Sequence, residues 1–500
     1  MTSQSVESNV FGINKRRMMD TAANAMNELR KIARINNPLW FRSASGDGDI
    51  LNSEFYGLMY PMMNLFNNPD VRIEGTRDSD FVIMNSRKLV EILLDPIKRR
   101  DIFPTIISEN EIIEVISSGS MPGSPNGVIQ LMYEVLQPVS PLVSSREFYF
   151  LRYCVQIEEG LWAIADVSYD FSHENRLSSP SNSRKLPSGC FVKDVHGYSE
   201  VTWVEHMEIV ERTRTYLPFQ DVVYSGMAFG AARWVASLKS ILERLYYILM
   251  ADTSVDYEVT VPSSRGNIIR FSIDMLACFC KSIRSSRARQ WIRSYDTNDV
   301  AIRLRINSSP QTGQHNGYVL SAVTSIRLPL SSESVFNIFK DGANCPRLLR
   351  NAIFSNDILH KIAHIINGEH LGDFISVFQH FSNGQANSNL TLQESWQDRS
   401  GALVVYTPID RQSMFQIENA ENTSSIELLP CGVSIIPDGK PIRGASTGGG
   451  GVIDSAGSLL TVAYQIPLSS MEEDVCVAVA SNIIESCVHR IRIAFNCTGP

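Results

Sequence analysis

The chain has 500 residues and a formal net charge of −8. That length exceeds one ordinary core, and domains of about 100–200 residues make two the natural expectation. Hydrophobic residues at 44% and charged residues at 20% describe a globular chain, not a disordered one. An acidic balance without a dense Lys/Arg block argues against autonomous nucleic-acid binding, because phosphate neutralisation needs clustered cations. The opening MTSQSVESNVFGINKRRMMD has no apolar core segment, and no run of about 18 uncharged apolar residues occurs. Neither a secretory leader nor a membrane span is expected. The nine cysteines are scattered, with Cys278 and Cys280 as a CxC, and read as reduced packing thiols of a reducing compartment. The N-x-S/T triplets at Asn389, Asn422 and Asn496 then carry no meaning.

Residues 1–16 read as a disordered start. An amphipathic helix follows over 17–35, with Met18, Ala22, Met26, Leu29 and Ala33 at helical spacing. FVIMNSRKLVEILLD (81–95) reads as a strand and then a helix capped by Asn85 or Ser86. The runs NEIIEVIS, NGVIQLMYEVLQ, REFYFLRYCVQ and GLWAIADVSYDF form an antiparallel meander, since their links are too short for crossover helices. A long helix spans about 225–250, with Met227, Ala231, Trp234, Leu238, Ile241 and Leu245 as its apolar stripe. Arg233, Lys239, Glu243 and Arg244 lie off that stripe. Residues 253–319 read as a linker with a helix around Ile273–Ile292. Its basic stretch KSIRSSRARQWIR (281–293) reads as a solvated helix face.

The order of elements then repeats. AVTSIRLPLSSESVFNIFKD answers FVIMNSRKLVEILLD, DILHKIAHIING answers NEIIEVISSG, and FISVFQHF answers VIQLMYEVL. LTLQESWQDRSGALVVYTPID answers FYFLRYCVQIEEGLWAIADVSYD, and both halves continue with Leu-Pro-small-Gly: LPSG at 186–189 and LPCG at 429–432. The last helix is expected to start at Ser470 and to turn Val475, Val479, Ile483, Cys487 and Ile491 inward. The fold class is α+β: two tandem domains, each a curved antiparallel sheet around a long C-terminal helix.

The first copy resembles a START domain, the helix-grip lipid-binding fold, through SSREFYFLRYC, LPSGCFVKDVHGYSEVTWVEHMEI and the final helix. The chain is more specifically similar to plant class IV homeodomain–leucine zipper transcription factors. PLVSSREFYFLRYC, SGMAFGAARWVASL, GALVVYTPID, LLPCGVSIIPDG and GSLLTVAYQIP follow that group's blocks in order, over about 17–497. The resemblance implies a START domain at 17–252 and a START-adjacent domain at 320–497. It implies a nuclear regulator with a lipid or sterol ligand, no cofactor, and homo- or heterodimerisation with related factors. No W-F-x-N-x-R recognition helix and no zipper-length heptad run occur in the chain, so no direct nucleic-acid contact is expected of it.

START domains place charged residues on inward strand faces, which singles out Glu134 and Arg152 on successive strands. These read as an ion pair, serving either a ligand or the fold alone. Arg146 matches the family's strand-opening Arg. Asp166 and His206 interrupt apolar alternation and face either the cavity or a hydrogen bond within the sheet. Trp162, Trp203 and Phe229 read as pocket walls or core. Catalytic motifs fail: TGGGGVI (447–453) lacks the Lys-Ser/Thr of a P-loop and reads as a hairpin insertion. His360 and His364 would share a helix face as zinc ligands, but the repeat puts them on a strand. The expected function is lipid sensing without catalysis, with lipid carriage or a helix-grip enzyme as alternatives.

Overall fold

The structure is a computed structural model. It describes residues 3–43, 48–60, 71–169, 183–210, 215–251, 262–284, 291, 293–296, 301–308, 318–340, 358–382, 384–420, 423, 426–440, 457–468 and 473–495. The glycine run at 447–453 and Ser470 lie outside them.

The first unit opens with helix α1 (Ser3–Arg34) and strands β1 (Trp40–Arg42) and β2 (Asp49–Leu51). Helix α2 (Ser53–Met59), strand β3 (Val71–Val82) and helices α3 (Ser86–Leu94) and α4 (Pro96–Ile102) follow. The meander is β4 (Ile107–Ser118), β5 (Val128–Leu136), β6 (Arg146–Glu158), β7 (Leu161–Ser168), β8 (Ser183–Lys185), β9 (Ser188–Val195) and β10 (Tyr198–Val210). Helices α5 (Gln220–Tyr224) and α6 (Ala231–Ala251) close the unit. The sheet runs β1-β2-β3-β10-β9-β7-β6-β5-β4, with β8 also paired to β10.

Helix α7 (Pro262–Ile283) leads into β11 (Arg293–Asp296), β12 (Ala301–Ser308), β13 (Tyr318–Leu328) and helix α8 (Ser332–Lys340). Next come β14 (Ile358–Ile366), β15 (Phe374–Ser382), β16 (Gln385–Asp398) and β17 (Gly401–Asp410). Helix α9 (Arg411–Glu418), β18 (Cys431–Pro437), β19 (Ser458–Leu468) and helix α10 (Glu473–Ala494) complete the chain. This sheet runs β11-β12-β13-β19-β18-β17-β16-β15-β14. Strand for strand the two orders match, so the sequence repeat is a repeat of topology.

The central strands of each sheet are covered on both faces, while β4 and β14 at one edge carry exposed residues. Trp234, Val235, Leu238, Ile241 and Leu242 of α6 pack on the inner face of the first sheet with Met132, Phe148, Phe150, Ile164 and Trp203. On the outer face, Met26, Leu29 and Ile32 of α1 meet Ala163, Ala165 and Val204. In the second unit α10 packs on the inner face through Ala480, Ile484, Cys487, Val488 and Ile491. Helix α7 covers the outer face through Ile268, Met275, Leu276 and Phe279 against Val377, Leu392, Leu403 and Val405. Helix α7 therefore does for the second sheet what α1 does for the first.

Four expectations are corrected. The first helix begins at Ser3, not at residue 17. Residues read as a linker supply α7, β11 and β12, with β12 paired to β13 along its length, so they are integral to the second sheet. Arg284, read as solvated, is buried and donates to the Ile107 carbonyl at 2.8 Å. Val475 and Val479 are exposed, and the buried side of α10 runs through Ala480, Ile484 and Val488. A strict i+4 stripe drifts by about 40° per step on a helix of 3.6 residues per turn, so its start and end cannot share a face.

The Leu-Pro-small-Gly segments explain themselves at the backbone. Gly189 sits at φ 138°, and a Cβ there would lie 1.9 Å from the Ile164 carbonyl oxygen. A Cβ on Gly432 would lie 2.3 Å from the Val404 carbonyl oxygen. In both copies the neighbouring strand passes too close for any side chain. Gly189→Ala and Gly432→Ala are each expected to cost at least about 2 kcal/mol, read as a lowered melting temperature by circular dichroism. Gly197, at φ 92° with nothing within 4 Å, should cost only about 1–2 kcal/mol of backbone strain as alanine. Equal losses at all three positions would contradict the close-approach explanation.

Candidate functional site

Strand alternation divides the candidate residues between two faces. Glu134, Arg152, Trp162, Asp166 and Trp203 stand on the inner face toward α6, as does Glu205. Phe229, just ahead of α6, packs into the same core. His206 follows Glu205 on β10 and so points to the other face, where its ring meets Tyr56 of α2 edge-on, centroids 4.6 Å apart. It does not face the interior with the others, because neighbours on a strand point opposite ways.

The inner face carries a buried charge network. Arg152 makes a two-toothed contact with Asp166, its direct cross-strand partner, at 2.9 and 2.8 Å. Glu134 faces Phe148 in register, not Arg152, and its oxygen is 3.9 Å from the Arg152 guanidinium. Its close partner is Arg99 of α4, at 3.0 Å. Lys185 pairs with Glu205 at 3.2 Å, and the Trp203 indole donates to the same carboxylate at 2.9 Å. All six charged residues are at most 4% exposed. Burial opposes ionisation of Asp166, but Arg152 outweighs it and holds the carboxyl below its ordinary range. At Glu205 burial wins over Lys185 and Trp203, and the carboxyl is raised.

Sequence reasoning passed over Arg99, Lys185, Trp234 as a polar group, and Glu74. Arg99 hides in the basic run PIKRRDI, where Arg100 is exposed. Its signal is spacing: it lies three and four residues before the buried Ile102 and Phe103, on their face of the helix. Asp95 caps that helix by accepting from Ile97 and Lys98, which fixes the approach of α4. The Arg99 guanidinium lies over Phe103, Trp203 and Trp234, 5.0–5.5 Å from the ring centroids. Trp203 and Trp234 stack at 4.8 Å. Arg146 is committed elsewhere: it grips Glu74 of β3 through two 2.8 Å contacts and lies 3.7 Å over Phe229.

Four buried polar atoms of this face have no hydrogen-bond partner among the described residues: Gln130 Oε1, which faces Arg152 in register, Glu134 Oε1, Arg99 Nη2 and Trp234 Nε1. Both His206 ring nitrogens are also without one, on the outer face.

Among the described residues, the second inner face replaces three of the first domain's charges. Register equates Ser188 with Cys431, so Asp166 corresponds to Tyr406 and Arg152 to Gln393. Gly189 with Val204 and Gly432 with Ala463 likewise equate Glu205 with Tyr464. A cation and two carboxylates become an amide and two phenols. The strand β14 carries His360 and His364, where helical ligand spacing has no meaning. No helix among the described residues is long and apolar enough to cross a membrane.

Fold and site together define tandem START-type domains, the second carrying Gln393, Tyr406 and Tyr464 where the first carries Arg152, Asp166 and Glu205. The family model for the START domain matches residues 20–244, and that for the PDF2-like C-terminal domain matches residues 261–497. The chain is 37% identical over 509 residues to the homeobox-leucine zipper protein ROC8 of Oryza sativa subsp. japonica, covering 96% of this chain and 71% of that one. It is 37% identical over 497 residues to HDG11 of Arabidopsis thaliana, covering 97% and 67%. The chain belongs to the class IV homeobox-leucine zipper family. Among solved structures, human StAR-related lipid transfer protein 5 aligns with 46% of this chain and 98% of its own, at 17% identity and a TM-score of 0.34. The di-domain ARO/CYC StfQ from the steffimycin biosynthetic pathway aligns with 84% and 97%, at 8% identity and a TM-score of 0.21.

Two variants probe the two faces. Asp166→Asn strands the Arg152 charge and is expected to cost about 3–5 kcal/mol. His206 behaves oppositely. Burial lowers its pKa from 6.5 to about 3, so unfolding takes up a proton between those values. Stability therefore falls as pH drops through that window, by at most about 1.4 kcal/mol per unit. His206→Leu removes two unsatisfied nitrogens and should raise the melting temperature while flattening its pH dependence between pH 4 and about 6.5. A variant less stable than the parent at pH 5 would contradict this reading of His206.

Proposed function

We propose that the inner face of the first domain binds a neutral lipid carrying a hydroxyl group, such as a sterol, and that the chain acts as a lipid-sensing regulatory module in the nucleus. The observation that carries this reading is the set of four buried polar atoms without hydrogen-bond partners among the described residues, of which three lie at the Arg99–Glu134–Trp234 cluster and the fourth is Gln130 Oε1. Trp234 Nε1 and Arg99 Nη2 offer donors and Glu134 Oε1 offers an acceptor. A hydroxyl both accepts and donates, so it satisfies both kinds. Charge favours a neutral ligand. Arg99, Arg152 and Lys185 balance Glu134, Asp166 and Glu205, so a phosphate head would add an unpaired buried charge. The cations and anions are committed to one another, which supports binding in place of catalysis.

Glu134, Arg152, Asp166 and Trp203 then serve the site as proposed ligand-facing residues, Trp162 and Phe229 as apolar wall, and Arg146 as a brace. Ligand stabilises the folded first domain by mass action, RT ln(1 + [L]/Kd), and so tunes the amount or partner affinity of the regulator. Its action on transcription runs through homo- or heterodimerisation with related factors, with no nucleic-acid contact assigned to these residues.

Titration with dehydroergosterol, followed by its fluorescence, tests the reading. The parent should bind and gain melting temperature. Trp234→Phe keeps the ring stack and loses the N–H, and should bind about tenfold more weakly. No binding by the parent, or unchanged affinity in the variant, would count against the site.

A further inference from the structure

Helix α6 is the element the two domains share. Its start is pinned within the first domain: the Ala231 amide donates to Thr76 Oγ1 of β3 at 2.9 Å. The turn before it is tight, with Gly226 at φ 81° and a would-be Cβ on Gly230 only 2.4 Å from the Gly226 carbonyl oxygen. Its apolar side, including Trp234, closes the inner face of the first sheet. Its polar side belongs to the second domain. Ser240 accepts the Trp396 indole N–H from β16. Arg244 pairs with Glu394 of the same strand at 2.8 Å, with both side chains at most 2% exposed. Asn367 donates to that carboxylate at 3.1 Å. Ile248, near the end of α6, joins the core built by α7 and the second sheet. Beside α6, Arg399 reaches Asp78 and Asp80 of β3 at 3.0 and 3.3 Å, and Lys239 reaches Asp80 at 3.5 Å.

We propose that the outer face of the second sheet is a latch on α6: docking through Ser240–Trp396 and Arg244–Glu394 holds the helix closed over the first domain's ligand site. This rests on the lipid-binding reading for its consequence, though not for its geometry. Trp234 is carried by α6, so a lipid loses that polar contact when the helix moves. Movement of α6 breaks the contacts with β16. Ligand release and domain undocking are thereby one linked equilibrium, and by reciprocity a bound lipid strengthens docking. The second domain needs no ligand of its own for this role, and Gln393, Tyr406 and Tyr464 stand where the first domain has Arg152, Asp166 and Glu205.

The test uses the whole chain and the double variant Ser240→Ala, Arg244→Met. Ala and Met are at least as good helix formers as Ser and Arg, so the substitutions do not weaken α6 itself. Glu394 is already raised to about 7 by burial, so without Arg244 it takes up a proton and leaves no lone charge behind. Hydrogen exchange at α6 amides and the release rate of dehydroergosterol are measured together. Exchange at β17 and β18 amides reports that the second domain stays folded. Thr76→Val removes the cap at the other end of α6 and shows that both readouts sense opening of the helix.

The latch predicts that the double variant speeds both α6 exchange and sterol release by about tenfold or more, as Thr76→Val does, the scale of one lost buried contact. Unchanged α6 exchange in the double variant, with Thr76→Val responding, overturns the latch. Faster exchange with unchanged release overturns its coupling to the ligand. A parent that binds no sterol overturns the lipid reading instead, and α6 exchange then decides on the latch alone.

Discussion

The central strands of both sheets are buried on two faces, and that constraint governs everything else. A side chain on such a strand cannot reach water by pointing the other way. A charge must therefore find its partner on its own face, and a one-residue step sends it to a different partner altogether. Arg152, Asp166, Glu134 and Glu205 meet because all four fall on the inner row of the first sheet. His206, one residue beyond Glu205, falls on the outer row, where its ring meets Tyr56 edge-on. Its counterpart in the second copy, Gln465, reaches the Pro430 carbonyl at 3.0 Å, so the same position is satisfied there.

The duplication keeps the backbone rules and changes the chemistry. Strand order, the glycine in Leu-Pro-small-Gly and the helix on each outer face recur, because each is needed to pack a sheet of this shape. The ionic inner row does not recur. Gln393, Tyr406 and Tyr464 replace Arg152, Asp166 and Glu205, and α10 packs on them with Cys487 against Tyr464. A neutral row demands no charge partners, so the second copy is free to serve as a packing and docking unit.

Much of this was legible in the residues. The strand meander, the α6 stripe and the pairing of the two halves follow from period and turn signals, which are local. Of the inner charges, Asp166 was visible as a polar interruption of apolar alternation, and Glu134 and Arg152 through the resemblance to START domains. What was not legible is pairing across strands. Glu134 and Arg152 lie on successive strands, yet register sets Glu134 opposite Phe148, and Arg99 arrives from a helix whose charged sequence looks solvated. The role of α7 was missed for a related reason. Its buried face is defined by a second sheet whose strands come later in the chain, and its basic end hides the buried Arg284.

The central claim is that one inner face of the two takes a ligand and the other does not. Photo-crosslinking the intact chain with a diazirine-bearing sterol, followed by peptide mapping, tests it most directly. The account predicts adducts on peptides holding Phe148, Trp203 and Trp234 of the first domain, competed away by unlabelled sterol. Competable adducts on β17, β19 or α10 of the second domain, with none on the first, would contradict it.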